Sequence, residues 1–324
     1  MQICKKENNN MKISVIGLGM DSIALTKMLS KNNKNIYIWT EEKDKTIRDV
    51  IDIDLPKSIK VSNNLETVLK DTDIIYIACA SKYVDAITKK IAPFYKKNIP
   101  ICIASKGIEE TTQSLLSEVI SKELRTNNIA VISGPTFAID MLNEDPTALA
   151  LASKNNRTKN AVLKTLANDT LKLRPTKDII GIQLCGAIKN VIAIAAGIIK
   201  GLGYGESTHA LLINSSLHDI KKIIYYLGGN PKTILSYAGI GDLLLTCSTT
   251  KSRNFHFGYI IGSTKSKKEI NKFLLENTVE GYNTLDTIYQ LLHNKNINIK
   301  IIELLYNIVY NDEDPTTIIN VFKN

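Results

Sequence analysis

One stretch of the chain restricts the possible folds more than any other, residues 184–197, with the sequence LCGAIKNVIAIAAG. At helical spacing the face of Lys189 also holds Cys185, Ile192 and Ala193, which predicts a buried helix with one ammonium group among small apolar side chains. A buried charge is unfavourable unless another group compensates it. Either Lys189 extends out of the core or meets a structural carboxylate, or it lies in a closed site that tunes its pKa.

Length and composition predict a two-domain protein with small anionic ligands. The chain has 324 residues, of which 44% are hydrophobic, enough for two separate cores. The net charge is +9, but basic and acidic residues are interleaved without a basic-aromatic track. This pattern argues against a nucleic-acid partner and suits ligands such as phosphates.

Cysteine usage and the apolar runs bear on the compartment. The five cysteines are odd in number and show no Cys-x-x-Cys spacing, as is typical of reduced core residues in a cytoplasmic protein. The longest uncharged apolar run, Val191 to Ile199, is far shorter than the roughly 20 residues of a membrane helix, so integral membrane association is not expected. Residues 1–10 are polar and predict a disordered extension without a signal peptide.

The start of the fold has the order strand, glycine turn, helix, strand. The segments are an apolar strand at Lys12–Ile16, a turn with Gly17 and Gly19, a helix over Ile23–Lys31 and a strand at Ile36–Trp39. Gly17 permits the tight turn, and Gly19 lets a pyrophosphate approach the backbone at the helix N-terminus. The order predicts a dinucleotide-binding βαβ unit.

Four side chains around this unit differ in what they imply for a nucleotide. Ser22 replaces the third glycine of the usual pattern, and Met20 and Asp21 complete the turn. Glu41 follows the second strand, where a carboxylate accepts hydrogen bonds from the adenosine ribose and repels a 2′-phosphate. The alternative for Glu41 is a solvated charge run ending at Asp44.

The rest of the first half continues the alternation of strands and helices. Strands are predicted at 73–78, 99–104, 129–132 and 148–151, and helices at 82–91, 112–122 and 160–167. Near-continuous apolar strands predict a largely parallel sheet that is covered on both faces and binds ligands at its carboxyl edge. Polar turns at 105–107 (SKG) and 133–138 (SGPTFA) follow two strand ends, although isolated turns are more often plain connections.

The second half is predicted to be a separate all-α domain. Alternation stops near 174–176, so we expect a dinucleotide-binding domain over 11–176 and a helical substrate domain over 177–324. Three polar clusters interrupt the helical pattern, namely Lys189-Asn190, Asp242 with Thr246, and Ser252-Arg253-Asn254. The guanidinium of the third cluster suits phosphate. Asp242 taken alone is as well explained as a helix N-cap.

Together these motifs resemble the bacterial-type NAD(P)-dependent glycerol-3-phosphate dehydrogenases. The matching stretches, in family order, are 105–107, 134–138, 185–197, 238–243, 246–247, 252–254 and 279–281. The resemblance implies a Rossmann-type α/β domain followed by an all-α substrate domain. It also implies reduction of dihydroxyacetone phosphate to sn-glycerol 3-phosphate for phospholipid synthesis, with NAD as cofactor, without a metal, by a homodimer.

The resemblance further implies roles for individual residues. Lys189 transfers the proton at the substrate oxygen, a step that needs a positioned acid of moderate pKa. Lys106, Asp242 and Thr246 complete the catalytic group. The predicted substrate-binding residues are Lys106, Gly134, Thr136, Lys189, Asn190, Asp242, Ser252, Arg253 and Asn254. The predicted cofactor-binding residues are Gly17, Gly19, Met20, Asp21, Glu41, Lys106, Ala138, Arg253, Val279 and Glu280.

The chain departs from the family at a few positions. Residues 20–22 replace the Ser-Trp-Gly that is usual in the glycine loop of the family, a difference that bears on how tightly the nucleotide binds. Glu41 stands where arginine is frequent and predicts a preference for NADH over NADPH. His209 and Ser215 stand where basic residues are common. Two alternatives stay open, a catalytically silent nucleotide-binding sensor or scaffold of the same fold, and a dehydrogenase for another phosphorylated or β-hydroxy substrate.

Overall fold

Eight strands from the first half of the chain form one sheet in the computed structural model, which describes residues 11–264 and 266–323. The extension predicted for residues 1–10 lies outside the described residues. The strands are β1 (Lys12–Ile16), β2 (Asn35–Trp39), β3 (Ile59–Ser62), β4 (Ile74–Ile77), β5 (Ile101–Ile103), β6 (Ile129–Ser133), β7 (Thr147–Ala152) and β8 (Leu171–Thr176). Their order is β3-β2-β1-β4-β5-β6-β7-β8, which contains the dinucleotide-binding order 3-2-1-4-5-6.

The sheet confirms the predicted α/β class, but its two edge strands were not predicted. Six strand pairs are parallel, namely β1–β2, β1–β4, β2–β3, β4–β5, β5–β6 and β7–β8. The missed strands β3 and β8 form the edges. In β8, Leu171 and Leu173 are buried while Lys172 and Arg174 are exposed. Central strands are buried on both faces and give continuous apolar runs, whereas edge strands do not.

Six α-helices connect these strands. They are α1 (Met20–Ser30), α2 (Leu65–Leu69), α3 (Val84–Ile91), α4 (Leu116–Leu124), α5 (Ala138–Leu142) and α6 (Asn156–Leu166). The helix predicted to start at 112 begins at Leu116, because Gln113 has a φ of 55°, outside the right-handed helical region. The core includes Tyr76 of β4, whose hydroxyl lies 2.6 Å from Thr165 Oγ1 of α6.

The second half is helical, as predicted. Its helices are α7 (Ile179–Gly201), α8 (Glu206–Tyr226), α9 (Asp242–Cys247), α10 (Arg253–Thr264), α11 (Lys267–Glu276), α12 (Glu280–Asn294) and α13 (Lys300–Tyr310). Between α8 and α9 the chain forms a 3₁₀ turn, Pro231–Leu235, followed by a five-residue π-type turn, Tyr237–Gly241.

Helix α7 is the centre of this half, and every residue from Gly181 to Ile199 is buried. Helix α7 is long and apolar enough to cross a membrane. However, 89% of its most apolar 18-residue stretch is buried inside the protein, as is typical of the core helix of a soluble protein. Helix α10 packs directly against its backbone: a Cβ added at Gly258 would lie 2.0 Å from Ile194 O, and one at Gly197 would lie 2.0 Å from Phe255 O. This contact fixes the start of α10 beside α7.

Internal contacts divide the chain into two compact units. Among the described residues, the sheet unit comprises 11–105, Ser117–Ile132 and Thr136–Lys177, and the helical unit comprises Lys106–Leu116, Ser133–Pro135, 178–264 and 266–323. The segments 106–116 and 133–135 lie within the domain predicted over 11–176, but internal contacts group them with the helical unit. The first segment follows β5, and the second begins at the last residue of β6.

Candidate active site

A fully buried carboxylate, Asp242 at the start of α9, joins two lysines of the helical unit. Its Oδ1 lies 2.5 Å from Lys189 Nζ, and its Oδ2 lies 3.2 Å from Lys106 Nζ. Thr246 Oγ1 accepts a hydrogen bond from Lys189 at 3.0 Å and donates one to the Asp242 carbonyl at 2.7 Å. The four side chains predicted to be catalytic therefore lie together.

The local sequence explains how a short helix presents Asp242. The turn Tyr237–Gly241 ends immediately before Asp242, the first residue of α9. Within this turn Gly239 has φ −86° and ψ −108°, away from helical values. A Cβ at Gly239 would lie 2.1 Å from Ile234 O, so the chain passes very close to itself there. Asp242 and Thr246 are four residues apart in α9, so both side chains face Lys189.

The electrostatics of this cluster favour a lysine that exchanges a proton near neutral pH. Burial lowers the pKa of Lys189 to about 8; Asp242 opposes the shift and Lys106 adds to it. The side chain of Lys106 is 21% exposed to solvent, whereas that of Lys189 is 7% exposed. Two cations share one carboxylate, which suits a substrate that brings negative charge.

Predicted phosphate ligands lie at the start of α10. Ser252 is buried and its Oγ accepts from the Phe255 backbone N–H at 3.3 Å, so it caps this helix. Arg253 is exposed and Asn254 is buried. Asn254 Nδ2 donates to Asn190 Oδ1 at 3.0 Å, which joins α10 to α7 next to Lys189.

In the sheet unit, the glycine turn is built for a close backbone approach. Gly17 has a φ of +117°, and a Cβ there would lie 2.7 Å from Ala78 O. Around Gly19, by contrast, no atom lies within 4 Å of an added Cβ. Gly19 precedes α1, whose first N–H groups have no partner within the helix. An open backbone at a helix N-terminus fits the pyrophosphate of NAD(P).

Three side chains near this turn differ from the usual glycine pattern. Ser22 is fully buried, and its Oγ accepts from Gly19 N–H at 2.8 Å. Met20 and Asp21 are exposed. Ser22 therefore closes the turn from the inside and occupies none of the open space beside Gly19.

The remaining predicted residues are spread over both units. Thr136 and Ala138 belong to the sheet unit, whereas Gly134 belongs to the helical unit. Val279 is the buried residue before α12, and the carboxylate of Glu280 accepts from Asn190 Nδ2 at 3.1 Å. Across residues 11–264 and 266–323, no group of three or more His, Cys, Asp or Glu side chains is placed to hold a metal ion.

Three further side chains lie beside predicted residues, and of these three Lys90 has no place in any predicted motif. Lys90 of α3 forms an ion pair with Glu41. His209 Nε2 lies 2.8 Å from the carbonyl of Cys247, at the end of α9. Ser133 is buried, and its hydroxyl has no hydrogen-bond partner in the described part of the chain. No local pattern in the sequence marks the Lys90–Glu41 and His209–Cys247 contacts, because the partners lie 49 and 38 residues apart.

Comparison with known proteins identifies the family. Residues 12–159 match the family described as NAD-dependent glycerol-3-phosphate dehydrogenase N-terminus, and residues 178–320 match the corresponding C-terminus. The glycerol-3-phosphate dehydrogenase [NAD(P)+] of Thermoanaerobacter sp. (strain X514) is 34% identical over 313 residues, 94% of each chain. The chain belongs to the NAD-dependent glycerol-3-phosphate dehydrogenase family.

A second relative and a solved structure support the same family assignment. The enzyme of Leptospira biflexa is 35% identical over 321 residues, which are 95% of this chain and 96% of the relative. The crystal structure of glycerol-3-phosphate dehydrogenase from Coxiella burnetii superimposes with a TM-score of 0.91 at 27% identity, covering 97% of this chain and 99% of the other. The predicted family, fold class and oxidoreductase activity are confirmed, and these relatives support the dehydrogenase over the silent alternative.

Proposed function

We propose that this chain reduces dihydroxyacetone phosphate to sn-glycerol 3-phosphate, a precursor of glycerophospholipids, with Lys189 as the proton donor. The observation that carries the proposal is the buried Lys189 ammonium, 2.5 Å from Asp242, with its pKa lowered to about 8. A general acid works best when its pKa lies near the working pH. When bound, the nicotinamide supplies the hydride to the carbonyl carbon.

The other cluster residues stabilise the charge that the reaction creates. As hydride reaches the carbonyl carbon, its oxygen becomes negative, and the Lys189 ammonium stabilises this oxygen and then protonates it. Lys106 is a second cation on the same carboxylate, 3.2 Å from Asp242. Asp242 and Thr246 both accept hydrogen bonds from Lys189 Nζ, which keeps the acid in one orientation. In the reverse reaction the neutral Lys189 amine accepts the proton.

The substrate phosphate is assigned to the start of α10. Arg253 presents an exposed guanidinium there, and the N-terminus of a twelve-residue helix favours an anion. Ser252 and Asn254 flank Arg253. Gly134 and Thr136 complete the proposed substrate set through the family resemblance.

NAD is the proposed cofactor, with NADH preferred over NADPH. Gly17 and Gly19 bring the backbone close to the pyrophosphate, and Glu41 follows β2, where a carboxylate suits the ribose hydroxyls. Met20, Asp21, Lys106, Ala138, Arg253, Val279 and Glu280 complete the proposed set through the resemblance. Because Glu41 also forms an ion pair with the exposed Lys90, we expect a modest preference.

We further propose a cytoplasmic homodimer. The helical unit exposes large apolar side chains that a second copy would cover, among them Tyr225 at 66% and Leu235 at 73% exposure. Light scattering of the purified protein tests the dimer, and a monomeric mass at micromolar concentration contradicts it.

The decisive experiment follows NADH oxidation with dihydroxyacetone phosphate, repeated with NADPH. We expect turnover with both nucleotides and a higher kcat/KM with NADH. Nucleotide binding without turnover would support the silent alternative instead. A higher kcat/KM with NADPH contradicts the role given to Glu41.

A further inference from the structure

A chain of four hydrogen-bonding groups joins three helices of the helical unit beside the proposed catalytic cluster. The Gly281 backbone N–H donates to Asn254 Oδ1 at 2.8 Å, and Asn254 Nδ2 donates to Asn190 Oδ1 at 3.0 Å. Asn190 Nδ2 in turn donates to Glu280 Oε2 at 3.1 Å. Asn190 and Asn254 are 3% and 8% exposed, so water does not compete freely for these bonds.

The two ends of this amide chain fix the direction of every bond in it. A backbone N–H only donates, so Asn254 turns its oxygen to Gly281 and its NH₂ to Asn190. Asn190 must then accept from Asn254 and turn its own NH₂ to the Glu280 carboxylate, which only accepts. Each asparagine therefore has one side-chain orientation that satisfies both of its neighbours.

The start of α12 shows why the hydrogen-bonded amide chain needs an asparagine at 254 and a glycine at 281. Val279 precedes α12 and gives it no side-chain cap, and Asn254 supplies the missing acceptor from α10. A Cβ at Gly281 would lie 2.5 Å from Asn190 O and 2.8 Å from Asn254 Oδ1. Only glycine allows α12 to start this close to α7.

We propose that Asn190 is a positioning residue that sets the direction of Lys189, an inference that rests on the proposed function. Successive residues of an α-helix point about 100° apart. When the amide chain holds Asn190 towards α10 and α12, the neighbouring Lys189 is held towards Asp242 on α9. The same chain holds Asn254, and with it the adjacent Arg253 at the start of α10.

A double-mutant cycle with reversed polarity tests this role. Asn190→Asp removes the NH₂ and turns an acceptor towards Glu280, which is also an acceptor, so the chain breaks. Glu280→Gln offers an NH₂ at that position, so in Asn190→Asp/Glu280→Gln both carboxylate oxygens at position 190 have donors again. A displacement of about 1 Å costs roughly 100-fold in rate, so we expect Asn190→Asp alone to lower kcat by about that factor.

The readout is kcat in the two backgrounds. In the Glu280→Gln background the same Asn190→Asp substitution should lower kcat by less than about fivefold, a coupling that independent sites do not show. KM for dihydroxyacetone phosphate, the nucleotide Kd and Tm are measured alongside, because Glu280 is also a proposed cofactor ligand. An equal loss in both backgrounds overturns the inference, since added charge beside Lys189 then explains it.

Controls separate positioning from folding and from the proposed function. Asn307→Asp is the matched control, because Asn307 Oδ1 accepts from Asn311 at 2.9 Å on α13 and the carboxylate keeps that acceptor; it should leave kcat unchanged. If Asn190→Asp does not fold, Asn190→Ser takes its place, and a wild-type kcat in that variant overturns the inference. A drop in Tm with normal kcat also overturns it. Wild-type inactivity would instead refute the proposed function.

Discussion

The two predicted binding regions are built from different parts of the chain. In the sheet unit the nucleotide turn consists of backbone, with Gly17 at φ +117° and open space at Gly19. In the helical unit the catalytic cluster consists of charged side chains, with Asp242 bonded to two lysines. Backbone-built sites tolerate side-chain replacement, whereas a buried charge cluster loses its balance when one member changes.

This difference is visible in the side chains of the two regions. In the nucleotide turn Met20 and Asp21 are exposed, and Ser22 Oγ accepts from Gly19 N–H at 2.8 Å. In the catalytic cluster Lys189, Asp242 and Thr246 are buried and hydrogen-bonded to one another. Substitutions in the backbone-built and charge-built regions should therefore have different effects on activity, stability and nucleotide binding.

The largest effect is expected for Lys189→Ala. Without the proton donor, kcat for reduction of dihydroxyacetone phosphate should fall by about 10³-fold, within the range of general acid–base catalysis. Lys200→Ala is the matched control, because Lys200 lies near the end of the same helix and pairs with Glu206 at the surface. Steady-state kinetics of both variants provide the measurement, and a Lys189→Ala enzyme with near-normal kcat contradicts the assigned role.

The next effect concerns Asp242→Asn. Removing the carboxylate takes away the charge that compensates the buried Lys189 ammonium, so we expect about 100-fold lower kcat and a loss of about 3 kcal/mol of unfolding free energy. Asp312→Asn, at a surface ion pair with Lys267, is the control and should change little. Urea unfolding and steady-state kinetics measure the two quantities, and unchanged stability would show that Asp242 does not compensate the lysines.

The same variant makes a prediction about pH. Reduction needs the charged Lys189, so wild-type kcat should fall as pH rises through about 8, while oxidation needs the neutral amine and should rise. Asp242 raises the pKa of Lys189 against the larger effect of burial. In Asp242→Asn the transition should therefore move below pH 8; a shift to higher pH contradicts this account.

Glycine substitutions separate the backbone-built site into two parts. Gly17→Ala should lower Tm and weaken nucleotide binding, because the new Cβ would lie 2.7 Å from Ala78 O at a positive φ. Gly19→Ala meets no atom within 4 Å, so Tm should stay constant while the Kd for NADH rises about tenfold through contact with the pyrophosphate.

Gly205→Ala is the control for this pair. Gly205 also precedes a helix, α8, and has open space around it, but no nucleotide role is assigned to it. Calorimetric titration with NADH and thermal unfolding distinguish the three variants. If Gly19→Ala binds NADH as tightly as the wild type, the pyrophosphate does not lie against Gly19.

Much of this arrangement was predictable because it depends on local pattern. Gly17 marks its turn, six apolar strands mark the sheet, and the isolated Lys189 in an apolar helix marks a buried charge. The edge strands β3 and β8 could not be predicted in this way, because an edge strand is partly exposed and lacks the continuous apolar run of a central strand. The hydrogen bond from Asn190 to Glu280 joins residues 90 positions apart and depends on the orientation of both side chains, so no local sequence pattern predicts it.

The smallest effect is expected at Glu41, where an exposed side chain acts through water. Glu41 pairs with Lys90, and both side chains are about half exposed or more, so repulsion of a 2′-phosphate is worth only about 1 kcal/mol. Glu41→Ala should therefore raise kcat/KM for NADPH relative to NADH by about fivefold, and the gain should shrink at high salt. Glu42→Ala, at the neighbouring exposed carboxylate, is the control. Equal changes in both variants would mean that general surface charge, and not the position of Glu41 after β2, sets the nucleotide preference.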